Sequence, residues 1–194
     1  MRGRRAAVAH HPRGPRALRS RAQSILALSG SLRAASINTA FCSALVRRSA
    51  PGMEAALYPG LGKLPLFDPD LESSPPAAVV DFRLAVDRAD ALLIASPEYA
   101  HGISGVMKNA LDWLVSFEGA VGKRVALINT SPRAHHAHDS LAEVLRTMSL
   151  EIVPGASLTI PLHGFHRSGE DLLNSEVVRD AVDRIFAALR VHLR

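Results

Sequence analysis

The chain reads Ile25-Leu26-Ala27-Leu28-Ser29-Gly30-Ser31-Leu32-Arg33-Ala34-Ala35-Ser36-Ile37-Asn38 where an apolar run passes through a polar loop into a region of helical spacing. Residues 25–28 are apolar at every position, as expected for a parallel strand that helices cover on both faces. Ser36 suits the start of a helix, because its hydroxyl can accept a free backbone N–H. A buried strand that leads through a polar loop into a helix predicts a parallel α/β fold.

The same pattern recurs along the chain. Ala91–Ala95 and residues 125–128 are also apolar throughout, and weaker strands are predicted at residues 54–58 and 156–160. Segments with apolar residues at helical spacing alternate with these strands, at residues 41–48, 79–89, 106–117, 141–148 and 178–189. Five strands alternating with five helices predict a three-layer, doubly wound parallel sheet of flavodoxin-like order 2-1-3-4-5. Ligands then bind beyond the carboxyl ends of the first and third strands, after Leu28 and Ala95.

Length and composition indicate one folded domain, which we expect to span residues 23–194. The chain has 194 residues, of which 47% are hydrophobic and 21% charged, and these values are ordinary for a globular enzyme. No apolar run approaches the roughly 18 residues that a membrane-spanning helix needs, so no membrane span is expected. Residues 59–76 are rich in Gly and Pro and are predicted to form one long loop.

The net charge of +5 is unevenly distributed. Residues 1–23 contain seven arginines and no acidic residue, whereas residues 24–194 carry 16 basic and 18 acidic side chains. We therefore predict a basic, disordered segment at residues 1–22 and no nucleic-acid partner for the folded domain. A start-site artefact, a basic anchor to anionic surfaces and an organelle transit peptide are alternative interpretations of this segment.

Cys42 is the single cysteine. It cannot form an intramolecular disulfide, which fits a reducing compartment, and the N-terminal region lacks the apolar stretch of a secretory signal. A cytoplasmic location is therefore predicted. Cys42 falls in the first predicted helix and is expected to be a buried, unreactive thiol.

The loop after the first strand has the composition of a phosphate site. Hydroxyls, an amide and the Arg33 guanidinium precede or begin the first helix, whose N-terminus favours an anion. The loop contains no Gly-Lys-Ser/Thr triplet, and it has one glycine where a dinucleotide fingerprint needs three. A mononucleotide phosphate fits better. The alternative is a plain strand-to-helix turn with Ser36 as the N-cap.

The loop after the third strand carries a second motif. It reads Ser96-Pro97-Glu98-Tyr99-Ala100-His101-Gly102-Ile103-Ser104-Gly105-Val106-Met107-Lys108-Asn109-Ala110-Leu111-Asp112-Trp113. Together with Gly30–Asn38, this segment resembles the NADPH-dependent FMN reductase family, which includes quinone, azo-dye and chromate reductases. The resemblance covers roughly residues 24–190, with long matches at both predicted loops.

The resemblance implies FMN as the cofactor and NADPH or NADH as the electron donor. It implies a ping-pong oxidoreductase that reduces small acceptors such as quinones, azo compounds, metal oxyanions or free flavin, and a homodimer or homotetramer. The hydride chemistry then belongs to FMN, so no catalytic side chain is predicted. The implied cofactor-binding residues are Ser31, Arg33, Ser36 and Asn38 at the phosphate, Pro97, Glu98, Tyr99, Ala100, His101, Gly102 and Ile103 at the ring, and Ser131, Pro132 and Arg133 in a third loop.

The chain departs from the family pattern at several positions. Ala100 and Gly102 replace the usual Asn and Ser, and Ser104 replaces a common Pro, so the ring end must rely on backbone N–H donors. Glu98 is expected to face away from the flavin, with a partner subunit as one candidate contact, because an anion near the ring opposes its reduction. Lys108, Asn109 and Asp112 are expected on an exposed helix face or a subunit contact, and Trp113 in the core or an interface.

The third loop lacks the glycine-rich segment that the family often has. His135, His136 and His138 are expected in a solvated loop, and with no cysteine nearby they do not predict a metal site. His163 and His166 are interpreted in the same way. Two other functions remain open: a flavodoxin-type carrier of single electrons, for which residues 24–194 are only weakly acidic, and a flavin-free interaction protein on the same fold.

Overall fold

The computed structural model describes residues 21–162 and 168–193. In chain order, the strands of this part are β1 (Gln23–Ser29), β2 (Met53–Leu57), β3 (Ala91–Ala95), β4 (Glu98–Tyr99), β5 (Gly102–Ile103), β6 (Arg124–Asn129), β7 (Glu151–Ile152) and β8 (Leu158–Thr159). The helices are α1 (Ile37–Arg48), α2 (Ala77–Arg88), α3 (Gly105–Asp112), α4 (His135–Thr147), α5 (Gly169–Leu173) and α6 (Glu176–His192).

The main sheet has the order β2-β1-β3-β6-β7, and every pairing in it is parallel. This is the predicted flavodoxin-like order 2-1-3-4-5, which is confirmed. All five residues of β3 are buried, because helices cover both faces of a central parallel strand. The strand order reverses between β1 and β3, so the crevice expected for a ligand lies at the carboxyl ends of these two strands.

The fifth strand position differs from the prediction of one strand at residues 156–160. Two short strands, β7 and β8, pair with opposite ends of β6. Pro154 and Gly155 lie between them and interrupt the strand, since proline has no N–H to donate to a ladder. The Ser157 hydroxyl instead accepts the N–H of Leu127 at 3.0 Å, so the edge of the sheet stays paired across the gap.

Two apolar layers enclose the sheet. Alternate strand residues, among them Ile25, Ala27 and Leu93, pack with α1 and α6 on one face. The residues between them in sequence, such as Leu26 and Leu92, pack with α2, α3 and α4 on the other face. This alternation follows from the two-residue period of a strand. Cys42 lies fully buried in the first layer, as predicted, and burial raises the pKa of its thiol to about 12.

Several local elements were not expected from the sequence. The predicted loop at 59–76 contains two 3₁₀ turns, Leu61–Lys63 and Pro69–Leu71, and α5 precedes the last helix. Residues 1–20 of the basic segment predicted at 1–22 lie outside the described residues, as do His163 and His166. Within the described ranges, none of the helices combines the length and apolar character needed to cross a membrane.

Candidate functional site

Buried polar side chains concentrate at the carboxyl edge of the sheet. The six found among the described residues are Ser29, Ser36, Asn38, Ser104, Asn129 and Thr130. They belong to the ends of β1 and β6, to the start of α1 and to the residue before α3. A buried polar group costs free energy unless it is paired, so their placement at one edge marks it as the candidate functional site.

The first loop joins β1 to α1 and is held closely at its start. The Gly30 N–H donates to the carbonyl oxygen of Ala95 at 2.9 Å, which extends the pairing of β1 with β3 into the loop. The Ser29 and Thr39 hydroxyls lie 2.7 Å apart, and the N–H of Ser31 donates to the Ser29 hydroxyl at 3.4 Å. These bonds fix the path of the loop around the N-terminus of α1.

The start of α1 retains free donors. The Ser36 hydroxyl accepts the N–H of Thr39 at 3.3 Å, so Ser36 is the N-cap. Within the described part of the chain, the N–H groups of Ile37 and Asn38 have no acceptor, as is usual for the first helical positions. The first turn contains no acidic residue, and Arg33 is exposed beside it. This combination of donors and positive charge suits an anion.

The first loop lies directly against the loop after β3. A Cβ atom added to Gly30 would lie 2.5 Å from the Ser96 hydroxyl oxygen and 2.8 Å from that of Ser104. Gly30 is therefore required for close approach rather than for a special backbone angle. A cavity of about 310 Å³ opens beside this contact, lined by Gly30, Leu32, Arg33, Tyr99, Ser104, Gly105 and Val106.

The loop after β3 is a β-hairpin, which was not predicted. Strands β4 and β5 pair antiparallel and are joined by Ala100 and His101. Both joining residues have positive φ angles, 48° and 60°, as two-residue hairpins of the I′ type require. Ser104, the replacement for the common Pro, is the N-cap of α3, and its hydroxyl accepts the N–H of Met107 at 3.3 Å.

Glu98 connects this hairpin to α4. One carboxylate oxygen accepts the N–H of Ala137 at 2.8 Å, and the other lies 3.0 Å from Nδ1 of His101. The Ala137 N–H is the main cause that lowers the pKa of Glu98; burial opposes it, and His101 and His136 add to it. The Glu98 side chain thus contacts α4 of its own chain, whereas a partner subunit is the contact that the sequence suggests.

The third loop joins β6 to α4 and is tied to the first loop. The Thr130 hydroxyl donates to the side-chain oxygen of Asn38 at 3.0 Å. Asn129 accepts the N–H of Ser131 at 3.0 Å and donates to the carbonyl oxygen of Ala134 at 3.3 Å. Contacts at Gly30, at Glu98 and at Asn38 therefore tie the three loops together, the last two through the first turns of α4 and α1.

The expectation of a solvated loop for His135, His136 and His138 is wrong, because α4 begins at His135. The sequence does not reveal the start of α4 because Ala134, its N-cap residue, offers no side-chain acceptor. The acceptor for the Ala137 N–H is the Glu98 carboxylate, which lies 39 residues away in the sequence. The rings of His135 and His136 lie 4.0 Å apart between centroids, and those of His136 and His101 lie 4.4 Å apart. No cluster in the described ranges is arranged to hold a metal ion.

Asn109 is not on an exposed face, contrary to expectation. Its side chain accepts the N–H of Phe67 at 2.8 Å and donates to the carbonyl oxygen of Pro65 at 2.9 Å. Trp113 is fully buried, and its indole N–H donates to the same carbonyl at 2.8 Å. The second motif thus fastens the long 59–76 loop onto α3. Lys108 is exposed as expected, and it pairs with the half-buried Asp112 at 2.6 Å.

The predicted site residues all lie on the three loops or at the helix start beside them. Ser36 and Asn38 are buried, whereas Arg33, Tyr99, Ala100, His101, Pro132 and Arg133 are exposed. Sequence reasoning missed Ser29, Thr39, Ser96, Asn129 and Thr130 as residues that hold the loops. For Asn129 and Thr130 a signal existed, since polar residues directly follow a fully apolar strand. The pairings themselves could not be read from the sequence.

Comparison with known proteins agrees with this arrangement. The NADPH-dependent FMN reductase family matches residues 24–163. A probable NADPH:quinone oxidoreductase from Oryza sativa subsp. japonica is 44% identical over 104 residues, which cover 51% of this chain and 48% of that protein. An NAD(P)H-dependent FMN reductase from Pseudomonas aeruginosa is 41% identical over 90 residues, which cover 46% of this chain and 48% of that protein. The chain spans about half the length of these curated relatives.

A solved structure supports the fold. The flavoenzyme NAD(P)H:acceptor oxidoreductase FerB from Paracoccus denitrificans superposes with a TM-score of 0.64 and 23% sequence identity, covering 86% of this chain and 98% of that one. The family match extends from β1 to just beyond β8 and so includes all three loops of the candidate site. The chain belongs to the NADPH-dependent FMN reductase family.

Proposed function

We propose that the chain binds FMN at the carboxyl edge of its sheet and acts as an NAD(P)H-dependent reductase of small acceptors. One observation carries the proposal: the six buried polar side chains lie along the carboxyl edge of the sheet, from β1 to β6, which includes the point where the strand order reverses between β1 and β3. When bound, FMN supplies the chemistry, accepting a hydride from NAD(P)H and passing electrons to an acceptor in a ping-pong sequence. The protein binds, orients and excludes water.

The donor set at the first loop fits a phosphate. Ser31, Ser36 and Arg33, with the free N–H groups at the start of α1, offer hydroxyl, guanidinium and amide donors without a carboxylate. Asn38 belongs to the same set. Its side-chain oxygen accepts the hydrogen bond of the Thr130 hydroxyl. Its side-chain N–H groups are the donors that it would offer to the ligand. These groups would hold the phosphate and set the depth of the ligand.

The ring end would rest on the hairpin, from Pro97 through Glu98, Tyr99, Ala100, His101 and Gly102 to Ile103. Within the described residues, the backbone N–H groups of Ala100 and His101 donate to no backbone acceptor. Donors of this kind can stabilise the charge that gathers on the flavin on reduction. Ser131, Pro132 and Arg133 of the third loop would complete the site, and the Arg133 guanidinium would attract the phosphates of NADPH.

The test is the visible spectrum of the full chain after incubation with FMN, followed by NADPH or NADH without oxygen. We expect a yellow protein that the nicotinamide bleaches and that quinone, azo dye, metal oxyanion or free flavin reoxidises. A protein that takes up no FMN would overturn the proposal and favour a flavin-free interaction protein. A yellow protein that neither nicotinamide bleaches would instead favour an electron carrier.

Substitution of Arg33 sharpens the test of the phosphate site. Arg33→Ala should weaken FMN binding by about 1.5–3 kcal/mol, the usual loss for a charged hydrogen bond, and leave riboflavin binding unchanged because riboflavin has no phosphate. Arg47→Ala is the matched control, since Arg47 is exposed in the last turn of α1. Equal FMN affinity in both variants would remove Arg33 from the site.

We favour quinones as the acceptors, because several relatives are named quinone reductases or quinone oxidoreductases. We place this activity in the cytoplasm.

We also propose a homodimer or homotetramer. Exposed apolar side chains border the site, with Leu32 at 65% and Tyr99 at 52% exposure. Such residues are candidates for a contact between copies that would cover the site. Light scattering of the full chain tests the assembly, and a monomer at micromolar concentration would contradict it.

A further inference from the structure

The turn between β4 and β5 has a backbone that its own residues do not favour. Ala100 and His101 both have positive φ angles, a conformation that costs most residues with a Cβ atom about 1–2 kcal/mol each. The usual sequences for such turns contain Asn or Gly at these positions. Contacts outside the turn must therefore hold it in place.

Glu98 supplies these contacts. Its two carboxylate oxygens are both engaged, one by Nδ1 of His101 in the turn and one by the N–H of Ala137 in α4. The Glu98 side chain is only 11% exposed, whereas His101 is 76% exposed. We call this arrangement of Glu98, His101 and the Ala137 N–H the Glu98 clasp. It joins the strained turn to a helix that packs on the sheet.

Helix α4 depends on the same carboxylate. Ala134 provides no side-chain cap, and the first turn of α4 contains no acidic residue. An anion at a helix N-terminus is favourable, and Glu98 takes that place with its pKa held below the usual range, chiefly by the Ala137 N–H. The carboxylate is thus ionised at neutral pH. The imidazole ring of His136 lies edge-on to that of His101, 4.4 Å away between centroids.

We infer that Glu98 is a positioning residue, which acts through the Glu98 clasp to hold the free N–H groups of Ala100 and His101 toward the flavin ring. This inference rests on the proposed FMN binding. With both carboxylate oxygens bonded within the protein, the Glu98 side chain acts on the turn, and Glu98 would border the ring only through its backbone. A preorganised turn lets its donors act without reorganisation when charge develops on the ligand.

The first test needs no flavin. Glu98→Ala removes both acceptors, whereas Glu98→Gln keeps an oxygen for the Ala137 N–H and removes the charge. His135→Ala is the matched control, because His135 stacks on His136 but is not part of the clasp. In hydrogen exchange of the FMN-free chain, Glu98→Ala should speed exchange in peptides covering residues 98–103 and 135–139 and leave β1 and β3 unchanged. Uniform acceleration across the sheet would overturn the inference in favour of a merely structural role.

The second test uses FMN affinity and potential. Glu98→Ala should weaken FMN binding about tenfold or more, and Glu98→Gln and His135→Ala should weaken it less. Loosened donors stabilise reduced FMN less, so the midpoint potential of Glu98→Ala should fall below that of Glu98→Gln. Each tenfold change in relative affinity for reduced over oxidised FMN shifts a two-electron potential by about 30 mV.

The outcomes separate this inference from the proposed function. If the unsubstituted chain binds no FMN, the proposed function fails, whatever the exchange pattern. If it binds FMN and both Glu98 variants raise the potential equally, Glu98 acts by its charge alone and the positioning role is wrong. Unchanged affinity in Glu98→Ala would also overturn it.

Discussion

Gly30 is the residue whose size the site constrains most tightly. Its missing side chain lets the loop after β1 touch Ser96 and Ser104 of the loop after β3. Gly30 is not one of the glycines with a positive φ angle. Glycine is therefore needed here for space rather than for its backbone freedom. Any side chain here must displace a hydroxyl that lies between two loops of the site.

Gly30→Ala should destabilise the protein by about 1–3 kcal/mol, because a methyl group forced into a packed contact costs that much. The measurement is the free energy of unfolding in urea. Gly105→Ala is the control, since a Cβ there meets no atom within 4 Å. Adding Ser96→Gly to Gly30→Ala should recover part of the loss, and a Gly30→Ala protein as stable as Gly105→Ala would contradict the packing argument.

Cys42 provides a prediction about reactivity. Burial raises the pKa of its thiol to about 12, so almost no thiolate exists at neutral pH, and the side chain has no exposed surface. Iodoacetamide should therefore leave the native chain unmodified and react only as fast as the protein unfolds. Mass spectrometry checks this, with the chain in denaturing guanidinium as control. Rapid alkylation in native buffer would show that the thiol is accessible.

At the scale of elements, side chains of α3 and of the residue that follows it hold the 59–76 loop in place. Asn109 and Trp113 lie one turn apart on the same side of the helix and its C-terminal extension, and both donate to the carbonyl oxygen of Pro65. Phe67 packs edge-on against Trp113 at 5.0 Å. A loop with little regular structure is thereby fixed at its middle.

Asn109→Ala should loosen this loop while the sheet stays intact. The N–H of Phe67 loses its acceptor, at a cost of about 1–3 kcal/mol, and the change should appear as faster amide exchange of Phe67 and faster trypsin cleavage after Lys63. Lys108→Ala, which removes only a surface ion pair, serves as the control and should cost far less. Equal cleavage rates in the two variants would argue against the proposed fastening.

At the scale of the whole molecule, an ion pair joins the first and last long helices. Arg48 of α1 donates to both carboxylate oxygens of Asp183 in α6, at 2.7 and 2.6 Å. The Arg48 hydrogen bond is the main cause that lowers the pKa of Asp183. A carboxylate with a lowered pKa stabilises the fold above its unfolded-state pKa and loses this effect as the pH falls through the folded-state value.

Asp183→Asn should therefore destabilise the protein at neutral pH, and this penalty should disappear in acid, once the pH falls below the lowered folded-state pKa of Asp183. Because Asp183 is 55% exposed, the loss should stay below about 1 kcal/mol and shrink in high salt. Urea unfolding across this pH range checks it. Asp180 lies in the same helix but accepts no hydrogen bond from Arg48, so Asp180→Asn should have a smaller effect. A penalty for Asp183→Asn that persists in acid would contradict the linkage.

The sequence by itself determined the parallel α/β fold, its strand order and the two loops that carry the family motifs. These features follow from local patterns: fully apolar strands are buried on both faces, and polar loops lead directly into helices. It also offered Ser36 as an N-cap, within the alternative of a plain strand-to-helix turn, and anticipated Cys42 as a buried thiol. Both depend on neighbours that are close in sequence or on a single periodic face.

Only the tertiary structure decided the contacts that join distant segments. The start of α4 at His135 depends on the Glu98 carboxylate, the role of Asn109 depends on a carbonyl 44 residues away, and the bond from Thr130 to Asn38 spans 92 residues. The edge of β6 that the split last strand leaves open is likewise paired by the Ser157 hydroxyl, 30 residues from its donor Leu127. Local propensity carries no information about such partners, because a polar group is satisfied by whichever donor or acceptor the folded chain brings to it.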